Sequence, residues 1–279
     1  MHLRHIVAAT DESDAGRQAL RAAVALAART GARVTVMRAV PATGGVLAEM
    51  PSVGWASADA AESDLERLQR WVAADHPSLP QPATVSVAVT YGLPGVEIGR
   101  FAEREGADLV VLGRKPRSPK ARLIVGDTAD AVARRSLVPC LFVTGAGTLP
   151  REVLVAIDGS DRGMAVLTAA GSFARQTGAA LHVVTVEPRR PQEPAHLAAV
   201  VPTARSVQLG AQVRTASGAR LEVRQGNPVE EILAAINERH PDVLVLGCHR
   251  GGPPGIIEAG STARRLAHTA PCAILTVPL

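Results

Sequence analysis

The chain has 279 residues, 47% of them hydrophobic and 20% charged, which suits two domains of about 140 residues that each bury a core without staples. Its net charge of +4 is spread evenly and only 2% of residues are aromatic, so the basic face and stacking rings of a nucleic-acid binder are not in the sequence. No apolar run nears the roughly 18 to 20 residues that span a bilayer, no separate apolar leader is visible, and three cysteines follow no disulfide or zinc spacing; a cytoplasmic protein is expected.

Along the chain, short runs of Val, Ile and Leu alternate with Ala-rich helical patterns, the signature of βαβ crossovers and a parallel sheet. Strands are predicted at 4–10, 33–40, 84–90, 108–113 and 139–144, and again at 152–157, 180–186, 220–225, 242–247 and 272–277. The two sets are copies. HIVAATDESD at 5–14 matches VLVAIDGSD at 153–161 with an offset of 147, whereas ADLVVLG at 107–113 matches PDVLVLG at 241–247 with an offset of 134. The longer middle of the first copy is placed in the Gly/Pro-punctuated stretch PATGGVLAEMPSVGWAS. Thr30-Gly31 and Thr177-Gly178 put a glycine just past the first helix of each copy. With GTLPR at 147–151 as linker, domains are expected at 1–146 and 151–279. The expected fold is two tandem five-stranded parallel-sheet α/β domains, with helices on both faces, of Rossmann-like type.

Such sheets bind ligands beyond the carboxyl ends of their strands. Asp11 and Asp158 end the first strand of each copy and precede a helix, which suits capping and equally suits acceptance of a hydrogen bond from a base or sugar; the two roles are compatible. After the fourth strand, the second copy reads GCHRGGPPGIIEAGST from Gly247 to Thr262, where glycines and a Gly-Ser-Thr helix start offer free N–H groups and hydroxyls to a phosphate, or form a plain loop. The first copy reads GRKPRSPKARLIVGDT from Gly113 to Thr128. Asp127 at the helix start opposes a phosphate, and the cluster Arg114, Lys115, Arg117, Lys120 and Arg122 is either solvated surface or a charge-based phosphate holder. Cys140 and Cys272 read as small buried hydrophobes, and Cys248-His249 has no second pair at metal-ligand spacing.

On these residues, with the Gly-x-Pro starts at Gly92 and Gly226 and the aspartates before the fourth strands, both copies resemble the universal stress protein family. The resemblance covers nearly the whole chain. It implies a nucleotide motif of Gly, two residues, Gly, nine residues, Gly and then Ser or Thr, with adenine near the ends of the first two strands. Gly247, Gly260 and Ser261 match it; Arg250 stands at the inner glycine, with Gly251 one place late. Carried over by position, Asp158, Gly159, Ser160 and Val186 lie by the base and sugar, and Gly247, His249, Arg250, Gly251, Gly260, Ser261 and Thr262 follow the phosphates. In the first copy the corresponding residues are Asp11, Ala39, Gly113, Pro116, Gly126, Asp127 and Thr128, a degenerate set. The implied protein is a stress-responsive ATP binder, with Mg arriving on the nucleotide, whose copies pair through PCLFVT and PCAILTV and which can form a homodimer; the alternatives are an interaction scaffold and a slow ATPase.

Overall fold

The computed structural model describes residues 1–41, 58–75, 84–114, 128–145, 147–188, 203–248 and 261–279. In repeat 1, β1 (His5–Ala9), β2 (Arg33–Val40), β3 (Val85–Tyr91), β4 (Leu109–Gly113) and β5 (Cys140–Val143) alternate with α1 (Asp14–Thr30), α2 (Ala58–Asp75), α3 (Pro94–Arg104) and α4 (Thr128–Arg135). Repeat 2 follows the same order with β6 (Glu152–Ala156), β7 (Ala180–Glu187), β8 (Leu221–Gln225), β9 (Val243–Cys248) and β10 (Ala273–Pro278) around α5 (Asp161–Thr177), α6 (Ala204–Ser217), α7 (Pro228–Arg239) and α8 (Ser261–Thr269). Each expected strand falls within two residues of an observed one.

The two parallel sheets fuse into one ten-stranded sheet in the order β3-β2-β1-β4-β5-β10-β9-β6-β7-β8. The only antiparallel joint among the described strands is β5 with β10, where Phe142 faces Ile274, Leu141 faces Leu275 and Cys140 faces Thr276. The expected pairing through PCLFVT and PCAILTV is therefore present. Phe142 and Ile274 hold equivalent places in the two repeats, so the register puts a local two-fold axis through that pair. Each strand covers the other's open edge, which would otherwise be a template for aggregation.

Strand residues on one sheet face join the α1, α2, α5 and α6 side into a single core running through both repeats. On the other face the cores stay separate, one under α3 and α4 and one under α7 and α8. The continuous face is tied by the N-terminus, where Met1 O accepts from Gln176 Nε2 at 2.9 Å and Leu3 N donates to Gln176 Oε1 at 2.9 Å.

Local chemistry sets the helix limits. Ser13 and Ser160 are the N-caps of α1 and α5, and Gly31 and Gly178 close them in the left-handed conformation at φ 75° and 79°. Asp108 and Asp242, which precede the fourth strands, are latches: Asp108 Oδ2 accepts from the Arg4 and His5 amides and Asp242 Oδ2 from those of Arg151 and Glu152, fastening each fourth strand to the start of the first.

The extra length of repeat 1 is not where the glycines and prolines suggested. The β2–α2 connection spans 41–57 and its counterpart β7–α6 spans 188–203, nearly equal. The difference lies in α2, 18 residues against 14 in α6, and in the following connection, 76–84 against 218–220. Gly and Pro mark a connection; they do not mark which copy has the longer one.

Candidate functional site

In repeat 2 the chain leaves β6 through Ile157 and Asp158, and Gly159 turns it at φ 73° so that Ser160 can cap α5. Asp158 Oδ1 accepts from the Ser160 amide at 3.0 Å and from Ser160 Oγ at 2.6 Å, while Ser160 Oγ accepts from the Gly163 amide at 3.1 Å. Serine is thus the cap, and the aspartate fixes the serine from behind. A Cβ on Gly163 would lie 2.6 Å from Asp158 Oδ1, so only glycine lets the helix start this close to the carboxylate.

Asp158, Val186, Gly247 and Thr262 come together around a cavity of about 300 Å3 beyond the carboxyl ends of β6, β7 and β9. Its walls are otherwise largely apolar, supplied by Ile157, Val184, Ile232, Leu246, Leu266 and Leu279. Gly159 and Ser160 shape the turn beneath it, and Ser261 opens α8. His249, Arg250, Gly251 and Gly260 lie outside the described residues. Cys248 is buried and its thiol is pushed up to about 11 by desolvation. Among the described residues no group of three metal-ligating side chains forms.

Repeat 1 builds the same place from Asp11, Ala39, Gly113 and Thr128, around a cavity of about 310 Å3. Gly126 and Asp127 lie outside the described residues. The Asp11–Ser13 turn repeats that of Asp158–Ser160, with the Ser13 amide 3.1 Å from Asp11 Oδ1. The rim differs. Glu12 holds the left-handed position at φ 63°, where repeat 2 has Gly159, and its carboxylate meets Arg38 at 2.5 Å and Arg67 at 3.3 Å. Trp71 Nε1 donates to Glu12 O at 3.1 Å, and Tyr91 OH donates to Asp64 at 3.0 Å, so α2 and β3 close this rim. Burial first, then Asp64, raises the Tyr91 hydroxyl above its ordinary pKa. Arg38 lines the cavity of repeat 1, a cation with no counterpart among the described residues that line the cavity of repeat 2.

The universal stress protein family model matches residues 2–144 and again residues 150–278. The chain belongs to that family. A universal stress protein from Archaeoglobus fulgidus DSM 4304 is similar in fold, with a TM-score of 0.70 at 19% identity over 98% of each chain. A functionally unknown protein from Pseudomonas aeruginosa PAO1 is equally similar, with a TM-score of 0.70 at 18% identity over 99% of this chain and 92% of its own. A universal stress protein solved in complex with cAMP matches 51% of this chain and 98% of its own, at 22% identity and a TM-score of 0.38. No curated protein matches in sequence.

Within this tandem member of the family, three site features escaped sequence reasoning. Gly16 and Gly163 sit five residues after Asp11 and Asp158 in both copies, a periodic signal that could have been read; a Cβ on Gly16 would fall 2.2 Å from Thr10 Oγ1. Leu279 reaches the repeat 2 cavity because its amide extends the sheet by a 3.0 Å bond to Cys248 O, which no local pattern announces. Arg114, read as either solvated surface or phosphate holder, does something else. Its guanidinium donates across the repeats to Ala267 O at 2.8 Å, Ala270 O at 2.7 Å and Cys272 O at 3.1 Å.

Proposed function

We propose that the protein is a stress-responsive regulator that binds ATP mainly through repeat 2, in the cytoplasm, with little or no turnover. One observation carries the reading: a fixed carboxylate, Asp158, and a helix N-terminus, α8 with Thr262 in its first turn, share one largely apolar cavity of about 300 Å3. Val186 and Ile232 suit the faces of a base, Asp158 suits a ribose or base donor, and the first turn of α8 suits phosphate. A Cβ on Gly247 would come within 2.8 Å of Val166 Cγ2 and 3.0 Å of Leu279 Cδ1, two of the residues that line the cavity, so glycine here leaves those walls in place. Mg would ride on the phosphates. Ser160 is a poor nucleophile candidate because its hydroxyl is committed to Asp158 and its lone pair to the Gly163 amide, which favours binding over chemistry.

No helix among the described residues is long and apolar enough to cross a membrane. Calorimetric titration with ATP tests the reading. The wild type should bind one nucleotide per chain, and Ser261→Asp, which imports the carboxylate of Asp127 at the equivalent place, should abolish the heat. Absence of heat and of co-purified nucleotide in the wild type would favour the interaction scaffold; steady ADP release would favour the ATPase.

A further inference from the structure

We propose that Arg114 of repeat 1 is a positioning residue for the ligand site of repeat 2, acting by holding α8 in place from its far end; the ligand half of this statement rests on the ATP reading above. α8 is only nine residues long, too short to be stable by propensity, and its fully buried anchor among the described residues is Leu266. Its last turn is also chemically incomplete. The carbonyl of Ala267 would take its helical bond from the amide of residue 271, which is Pro271 and has none. Arg114 supplies the missing donor. The same guanidinium also takes up the carbonyls of Ala270 and Cys272, placing a fixed cation at the negative end of the helix. Arg114 is itself anchored, its amide donating to Val143 O at 2.8 Å.

The arrangement is one-sided. The residue of repeat 2 at the place of Arg114 is Cys248, a buried thiol. α4, the counterpart of α8, is followed by a turn held within its own repeat, where Ser136 Oγ donates to Val138 O at 2.9 Å and the Leu137 amide donates to Glu103 Oε1 at 3.3 Å, although neither bond reaches a carbonyl of α4. At the place of Ser136, α8 is followed by Ala270, which has no hydroxyl. Repeat 2 therefore borrows from repeat 1 the cap of the helix whose opposite end, at Thr262 and Ala263, lines its cavity. Arg114 also directly follows Gly113, which lines the repeat 1 cavity, so one peptide joins the two sites.

The test uses the full chain with Arg114→Ala, Arg114→Lys and, as a control, Gln176→Ala, which removes a different side-chain tie between repeats, at the N-terminus, without touching α8. Hydrogen exchange is followed without nucleotide at the amides of Arg265 and Leu266, whose helical acceptors lie in the first turn of α8. Exchange there should quicken about tenfold in Arg114→Ala and ATP affinity should fall about tenfold, the scale of losing charge-assisted bonds. Arg114→Lys should fall between, since an ammonium cannot span three carbonyls. The control should change neither. Faster exchange confined to Ala270, with unchanged affinity, would overturn the proposal, as would an equal loss of affinity in a control destabilised to the same degree. If the wild type takes no ATP, the functional reading fails by itself, and exchange at Arg265 and Leu266 still decides whether Arg114 positions the helix.

Discussion

Gly113 and Gly247 hold the same place in the family motif, yet a Cβ would meet different neighbours at the two. A Cβ on Gly113 would lie 1.8 Å from the carbonyl oxygen of Ala15 and 2.2 Å from its carbon, deep inside contact distance with the backbone of α1. Relief requires α1 to back away by more than an ångström. That helix is seated by Ala19, Leu20, Ala23 and Ala27, all with at most 1% exposure, so it cannot move without opening the core. Gly113→Ala should therefore cost about 3 kcal/mol or more, the upper range for overpacking. At roughly 2 °C per kcal/mol for a chain of this size, melting should fall by about 6 °C or more. A Cβ on Gly247 meets side chains and no backbone, Val166 Cγ2 at 2.8 Å and Leu279 Cδ1 at 3.0 Å, so relief takes a small side-chain shift and not a displaced helix. Gly247→Ala should cost less than about 1 kcal/mol in the unliganded protein and weaken ATP instead. Thermal melting and ATP titration of both variants check the pair. Equal melting of the two variants, or a Gly113→Ala that melts like the wild type, would refute the claim that Gly113 is kept for packing.

Two further outcomes follow from buried titratable groups. His5 is 3% exposed, with Nε2 2.9 Å from Thr35 Oγ1 and Nδ1 3.1 Å from Arg33. Burial, seconded by Arg33 and opposed by the Glu105 carbonyl, lowers its pKa below 6.5. Below 6.5 the unfolded chain takes up a proton that the folded chain refuses, so stability contributed by neutral His5 is full above that pH and is lost as pH falls toward the folded value. Urea midpoints should therefore drop between about pH 7 and pH 5, with a shallower slope in His5→Gln; equal slopes would show that the ring is not the sensor. All three thiols are buried, with Cys140 pushed up to about 12 and Cys248 to about 11 by desolvation, and Cys272 also raised. A disulfide reagent at neutral pH should label none of them until denaturant is added; rapid native labelling of one thiol would contradict its placement.

Much of the fold was legible because its determinants are local. Buried parallel strands write themselves as Val, Ile and Leu runs, and Gly31 and Gly178 sit where left-handed closure leaves little alternative. Asp11 and Asp158 announced the site by recurring, but their partner Ser160, the actual cap, and Gly163, which makes room for the carboxylate, become intelligible only when the turn is built. Arg114 could not be read at all from its neighbours. Its acceptors are main-chain carbonyls more than 150 positions away, and a carbonyl leaves no residue type in the sequence; only Pro271 hints that one of them lacks a donor. The charge run that contains Arg114 misled because charge count says nothing about direction.

The joint and the rims of this protein obey different constraints. The joint between β5 and β10 is made by main-chain bonds in a symmetric register, and it needs only that both strands be extended and apolar, as Leu141, Phe142, Ile274 and Leu275 are. It therefore tolerates any change in the loops above it. Repeat 1 used that freedom. Glu12 accepts a left-handed backbone, which disfavours side chains, pairs with Arg67, and holds Arg38 on the lining of a cavity as large as that of repeat 2. Yet repeat 1 is not dispensable to repeat 2, because β5 covers the edge of β10 and Arg114 completes α8. A repeat whose sequence departs from the family's nucleotide motif then still serves its neighbour. On this argument an isolated second repeat should expose a strand edge and an uncapped helix at once, and should self-associate through β10.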